Sequence, residues 1–271
     1  MKTCRFLHKG FARYGRVEER DGALWIAGPA PIPAEDLAAQ LAELRGDAAA
    51  AFDPMPLSTA ELLPPVVPGK IVCVGRNYRD HVKELGNEVP AEPLIFFKPI
   101  SSLLAPGAIV RMPRVSERID FEGELVVVIG RRASRLKSDA DWRSYVRAYT
   151  IANDVTARDL QKKDGQWTRA KGFDTFCPVG PILSDEVDTE SGLTVETRVN
   201  GELRQHGSTA DFIFSIPQLL AYITAAITLE PGDLLLTGTP AGVAPLAPGD
   251  HIEVSVTGLG TLANSFAAEM D

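Results

Sequence analysis

From Lys70 onward the chain is a succession of short apolar runs cut by turn signals, and that spacing restricts its fold more than any other feature. KIVCVG (70–75), LIFFK (94–98), GELVVVIG (123–130), YTIAND (149–154), LTVETRV (193–199), DLLLTG (233–238) and HIEVSVTG (251–258) each have the length and the apolar, often β-branched content of a strand. Pro-Gly dipeptides at 68–69, 106–107, 231–232 and 248–249 mark tight turns between them. Asn200-Gly201, between LTVETRV and ELRQ, is a pair that tolerates positive φ at both central positions of a two-residue hairpin. Helical patterns are scarcer. RDHVKELG and TARDLQKK read as short helices, and DADWRSYVRAY sets Trp142, Tyr145, Val146 and Tyr149 at helical spacing. Strands clustered without regular βαβ alternation predict a β-rich α+β domain.

Residues 1–66 differ in texture, with a hairpin pattern (ARYGRVEERDGALWIAG) and an acidic helix that places Leu37, Leu41 and Leu44 on one face. The Pro-rich stretch STAELLPPVVPGK then reads as a linker. A small N-terminal domain, 1–66, followed by a main body, 67–271, is the expected division. The uncharged segment 212–229 approaches the length of a membrane span. Polar residues dilute it, and Ser215-x-x-Gln218 with Pro217 reads instead as the capped start of a buried helix.

A net charge of −8 argues against a nucleic-acid partner, since phosphate binders concentrate Lys and Arg. Cys4, Cys73 and Cys177 form no CxxC pair, which speaks against a disulfide framework and a thiolate zinc site. The opening residues lack the apolar stretch of a secretory signal. A cytoplasmic protein with no membrane partner is therefore expected.

The residues richest in chemistry are acids at strand ends. Glu122 and Glu124 lie two apart in a strand and so face the same side, where a cation would relieve their repulsion; a solvated pair is the alternative. Asp154 ends a second apolar run, before Thr156-Ala-Arg-Asp159, which resembles a capping box. Three carboxylates would form an all-oxygen site suited to Mg²⁺ or Mn²⁺. His81 has Glu84 three residues on, the spacing of a helical contact, and reads either as a carboxylate-oriented general base or as a surface pair. His8, His206 and His251 have no such sequence neighbour. Lys171 and Lys98 sit in apolar or turn-rich segments, as anion stabilisers or as salt-bridged lysines. The TGTP run, 237–240, offers hydroxyls and N–H groups to a carboxylate or simply forms a turn. No phosphate-binding glycine motif is present.

In order along residues 70–267, GRNYRDHVKELG, FFKP, FEGELVVVIG, NDVTARDLQ, WTRAKGFDTFCPVGP, VNGELRQ, IFSIPQLLAYIT and TLEPGDLLLTGTPAGV resemble the fumarylacetoacetate hydrolase superfamily. The first 66 residues resemble the small extra domain of some bacterial members. The resemblance implies a mixed β-roll with a partly open barrel and a homodimer. It implies Mg²⁺, or Mn²⁺, at Glu122, Glu124 and Asp154. His81 and Glu84 become a lid dyad that activates water, and Lys171 a catalytic cation. Arg76, Tyr78, Lys98, Gln161 and Thr239 become substrate contacts. The activity implied is hydrolysis of the carbon–carbon bond in a small 2,4-dioxo acid of acylpyruvate or fumarylpyruvate type, through an enolate. Isomerisation of 2-hydroxyhepta-2,4-diene-1,7-dioate and decarboxylation of an oxaloacetate-type acid are the alternatives on the same scaffold, and non-catalytic binding of a 2-oxo acid is the remote one.

Overall fold

The apolar run after Glu122-Gly123-Glu124 forms the strand Gly123–Ile129, whose seven residues are all buried. In the computed structural model, which describes residues 1–46 and 52–269, this strand lies inside a twelve-stranded mixed sheet. Its neighbours are Val146–Asn153 and Leu234–Leu236, and beyond the latter come Ile71–Gly75 and Leu94–Lys98. Successive side chains point to opposite faces. Leu125, Val127 and Ile129 therefore enter one core cluster, and Val126 and Val128 another. Each such side chain contributes about 1.5–3 kcal/mol on burial.

A five-stranded sheet, Glu202–Ser208, Thr194–Val199, His251–Val256, Gly260–Ala268 and Ile109–Met112, supplies much of the facing layer of the larger cluster through Val195, Val254 and Phe266. Neither sheet closes into a barrel among the described residues. The Asn200-Gly201 hairpin is as expected, with φ of 54° and 82°. The uncharged segment yields the helix Ile216–Ala226, which buries Ile216, Leu219, Leu220 and Ile223. The Gln218 side chain accepts the Ser215 N–H at 2.8 Å. No described helix is long and apolar enough to cross a membrane.

The N-terminal strands continue the large sheet. Lys2–His8 pairs with Cys177–Ser184 on one edge and with Phe11–Arg20 on the other, and Ala23–Pro29 completes the expected hairpin. All three cysteines are free and buried.

Two local expectations are corrected. Residues 142–149 are not a helix: one 3₁₀ turn, Trp142–Tyr145, leads into the strand Val146–Asn153. There Tyr149 and Ile151 face one core while Ala148 and Ala152 face the other. Pairing on both edges outweighs the helical spacing of four apolar residues. The expected helix forms over Leu37–Leu44; its shared leucine face points outward, with Leu37, Leu41 and Leu44 exposed, while Ala39 is buried. Asp36 fixes that orientation by accepting from Ala39 N, Arg5 Nε and Tyr14 Oη. Thr156 is not a helix cap, because its hydroxyl donates to Asp154 O, and Asp159 accepts from Ser116 Oγ and Glu117 N.

Candidate active site

Antiparallel pairing brings the three acids together. Gly123 is paired with Asn153, so Glu122 falls opposite Asp154; Asp154 N donates to Glu122 O at 2.8 Å, and Glu122 N to Asn153 Oδ1 at 2.9 Å. Glu124 follows on the same face as Glu122. One carboxylate oxygen from each of Glu122, Glu124 and Asp154 lies within 4.8 Å of the others, and all three side chains are buried. Glycine is required between the two glutamates, because a Cβ at Gly123 would sit 2.3 Å from Thr197 Oγ1 and 2.8 Å from Val254 Cγ1.

Buried cations hold this charge. Lys171, on the short helix Thr168–Gly172, donates to Glu122 Oε2 at 2.7 Å and Asp154 Oδ2 at 2.6 Å. Lys98 donates to Asp154 Oδ1 at 2.7 Å and Val155 O at 3.3 Å. Arg158, heading the helix Arg158–Asp164, reaches Glu122, Asp120 and Gln161. Burial alone would raise the Glu122 pKa, but the charges of Lys171 and Arg158 outweigh it and hold the carboxyl well below its ordinary range. Lys171 is held protonated by Asp154 and Glu122 against the effect of burial.

Glu124 is different. Its hydrogen bond comes from Gly238 N at 2.7 Å, and burial together with the charges of Asp154 and Glu122 drives its pKa up. Asp120 is paired by the half-exposed Arg118 as well as by Arg158, so Lys98, Lys171 and Arg158 are the buried cations for Glu122 and Asp154, and Glu124, which has no ion pair among the described residues, lies beside these two other metal-candidate ligands. An all-oxygen donor set with an uncompensated carboxylate fits a hard divalent cation.

The acids line a cleft of about 270 Å³. Another part of the lining comes from the short helix Arg79–Glu84, on which His81 is buried, and from Leu85 and Asn87 after it. His81 Nδ1 lies 3.3 Å from Glu84 Oε2, and Gly242 N donates to both Glu84 oxygens at 3.0 and 3.2 Å. Burial lowers the His81 pKa from 6.5, outweighing the opposing charges of Glu122 and Glu84, so the imidazole is neutral at neutral pH. Phe96 and Trp167 form an apolar wall in T-shaped contact at 5.2 Å, and the Lys171 ammonium lies 5.1 Å from the Phe96 ring centre.

Of the residues anticipated from sequence, Arg76, His81, Glu122, Glu124, Asp154, Gln161, Lys171 and Thr239 line this cleft. Glu84 stands behind His81, and Lys98 behind Asp154. Tyr78 lines a separate surface depression, with its ring in T-shaped contact with Phe212 at 5.0 Å. Sequence reasoning gave no role to Arg158, Asp120, Gln205 or Trp167. Arg158 was within reach as the arginine of the TARD segment. His206, without a neighbour in sequence, meets Glu196 across the hairpin at 3.1 Å.

Comparisons with known proteins place the chain in a family. Residues 70–267 match the family described as fumarylacetoacetate (FAA) hydrolase, C-terminal. The oxaloacetate tautomerase YisK of Bacillus subtilis is 44% identical over 222 residues, covering 77% of this chain and 73% of that protein. The mitochondrial oxaloacetate decarboxylase of Dictyostelium discoideum is 46% identical over 200 residues, covering 71% and 90%. The crystal structure of 2-hydroxyhepta-2,4-diene-1,7-dioate isomerase from Mycobacterium marinum superposes with a TM-score of 0.84 at 36% identity, covering 100% of both chains. Sequence similarity across the whole cleft-bearing region, and superposition over the full length, lead to one conclusion: the chain belongs to the fumarylacetoacetate hydrolase family.

Proposed function

We propose that the chain converts small 2-oxo acids through their enol or enolate forms, that oxaloacetate-type acids are the substrates to test first, and that the reaction requires a divalent cation at Glu122, Glu124 and Asp154. The single observation that carries the reading is a neutral, carboxylate-oriented histidine across one small cleft from three clustered acids. The cation, when bound, supplies Lewis-acid polarisation of the 2-oxo group. With Nδ1–H directed at Glu84, His81 keeps Nε2 as the base that takes a proton from the carbon next to the ketone. Lys171, held protonated, provides positive charge where the enolate oxygen develops. Phe96, Trp167 and Leu85 keep that charge in a partly dry setting. The names of the similar proteins, a tautomerase and a decarboxylase of oxaloacetate and an isomerase of a 2-hydroxy diene, support this class of chemistry.

The His81–Glu84 pair also favours a second reading, hydrolysis of a 2,4-dioxo acid. There His81 takes the proton of a water that attacks the distal carbonyl, the carbon–carbon bond breaks, and pyruvate leaves as its enolate. One assay separates the two. Metal-stripped and Mg²⁺-reloaded protein, wild type and His81→Asn, are given oxaloacetate and, separately, acetylpyruvate, and ultraviolet absorbance and pyruvate are followed. Mg²⁺-dependent loss of the oxaloacetate enol that collapses in His81→Asn supports the first reading; turnover of acetylpyruvate alone supports the second. No turnover of either by folded, reloaded protein overturns both.

A further inference from the structure

The loop Thr237 to Pro240 runs beside Glu122-Gly123-Glu124, and its two hydroxyl protons are already committed. Thr237 Oγ1 donates to Leu125 O at 2.8 Å and Thr239 Oγ1 to Gly123 O at 2.9 Å. A carbonyl oxygen only accepts, so both directions are fixed. The buried Gln205 settles the remainder of the Thr239 hydroxyl. Its Oε1 takes the Gly123 N–H at 3.0 Å and the Thr197 hydroxyl at 2.7 Å; its Nε2 lies 2.7 Å from Thr239 Oγ1 and 2.8 Å from Pro240 O. A backbone N–H at one end and a carbonyl at the other leave a single orientation for the amide, in which Nε2 donates to Thr239. The hydroxyl has one proton and two lone pairs. The proton goes to Gly123 and one lone pair to Gln205. One lone pair is left, on a residue that lines the cleft.

We infer that Thr239 meets its ligand as a hydrogen-bond acceptor, and that this wall of the cleft therefore selects small acids presenting an O–H group to it, the enol or hydrated form of a 2-oxo acid over the ketone. A ketone or carboxylate oxygen placed there faces a lone pair and gains no bond; a hydroxyl gains one. The inference rests on the reading above that the cleft takes small 2-oxo acids beside a divalent cation. Within the loop the Gly238 N–H meets the Glu124 carboxylate, and both threonine hydroxyl protons go to backbone carbonyls.

The test is isothermal titration of Mg²⁺-saturated protein with three probes. Glycolate has an O–H beside its carboxylate, methoxyacetate has the same charge without that proton, and oxalate has no donor at all. Thr239→Val weakens glycolate roughly five- to tenfold, the value of one neutral hydrogen bond, and leaves methoxyacetate and oxalate within about twofold. Thr239→Ser, which keeps the hydroxyl, restores glycolate. If glycolate and methoxyacetate weaken in parallel, or oxalate weakens as much as glycolate, Thr239 does not act as the acceptor and the inference falls while the functional reading stands. If oxalate does not bind the Mg²⁺-saturated wild type, the functional reading fails and takes the inference with it.

Discussion

Lys98→Met is the perturbation whose outcome the geometry specifies most sharply. Lys98 extends from the strand Leu94–Lys98, its side chain has 0% exposure, and its ammonium reaches Asp154 Oδ1 at 2.7 Å. Asp154 itself is 1% exposed, and its other oxygen shares Lys171 with Glu122. Methionine fills nearly the same volume, so the change removes charge while largely preserving packing. With Arg118 still on Asp120, two buried cations, Lys171 and Arg158, remain beside Glu122, Glu124 and Asp154. Removing one partner of a buried pair costs about 3–5 kcal/mol, because the other charge remains out of water. At about 2–4 °C per kcal/mol, the melting temperature in EDTA falls by roughly 6–20 °C. Lys98→Met with Asp154→Asn removes both partners and recovers much of that loss. Excess Mg²⁺ stabilises the single variant more than the wild type, since a divalent cation beside Asp154 replaces the missing charge. Differential scanning calorimetry of wild type, single and double variant, each with EDTA and with Mg²⁺, reads all six states. A single variant melting within about 2 °C of wild type in EDTA would refute the charge accounting.

Burial keeps the His81 pKa below 6.5, the ordinary value of an imidazole, so the rate on oxaloacetate stays level through neutral pH and declines only under more acidic conditions, by about tenfold per pH unit. The folded chain disfavours protonated His81, so this residue's contribution to stability is intact above pH 6.5 and erodes as pH falls below that value; His81→Asn makes the melting temperature fall less steeply below pH 6.5 than in the wild type. Ser215→Ala loosens the start of the helix Ile216–Ala226, at about 1 kcal/mol by chemical denaturation, with turnover unchanged because no residue there touches the cleft. Gly242→Ala drives a Cβ to within 2.0 Å of Arg204 O at a φ of +105° and displaces the N–H that anchors Glu84. It lowers the melting temperature and the oxaloacetate rate together, and a normal rate in a destabilised protein would separate Glu84 anchoring from catalysis.

Local signals made much of this molecule legible. A buried strand is a continuous apolar run, a two-residue hairpin needs Asn-Gly at 200–201, and acids at the ends of two apolar runs announced Glu122, Glu124 and Asp154. The failures share a cause. Trp142, Tyr145, Val146 and Tyr149 keep helical spacing by coincidence, and the competing strand partners lie far away in the chain. Which way the helix Leu37–Leu44 turns its leucine face was not legible either, because it depends on Asp36 meeting Arg5 and Tyr14 in other strands. Gln205 organises the Gly123–Thr239 contact from 82 residues beyond Gly123, and no spacing rule reports such a bond. The one trace in sequence is an uncharged amide between Arg204 and His206 in an otherwise polar, exposed strand segment.

The central claim is that Glu122, Glu124 and Asp154 hold a divalent cation, and calorimetric titration of Mg²⁺ or Mn²⁺ into metal-stripped protein tests it most directly. The expected result is one saturable site per chain, lost or severely weakened in a Glu124→Gln variant that stays folded, because the amide still accepts from Gly238 N but no longer supplies the charge. Binding to that variant as tight as to the wild type, or no saturable binding to the wild type, would contradict it.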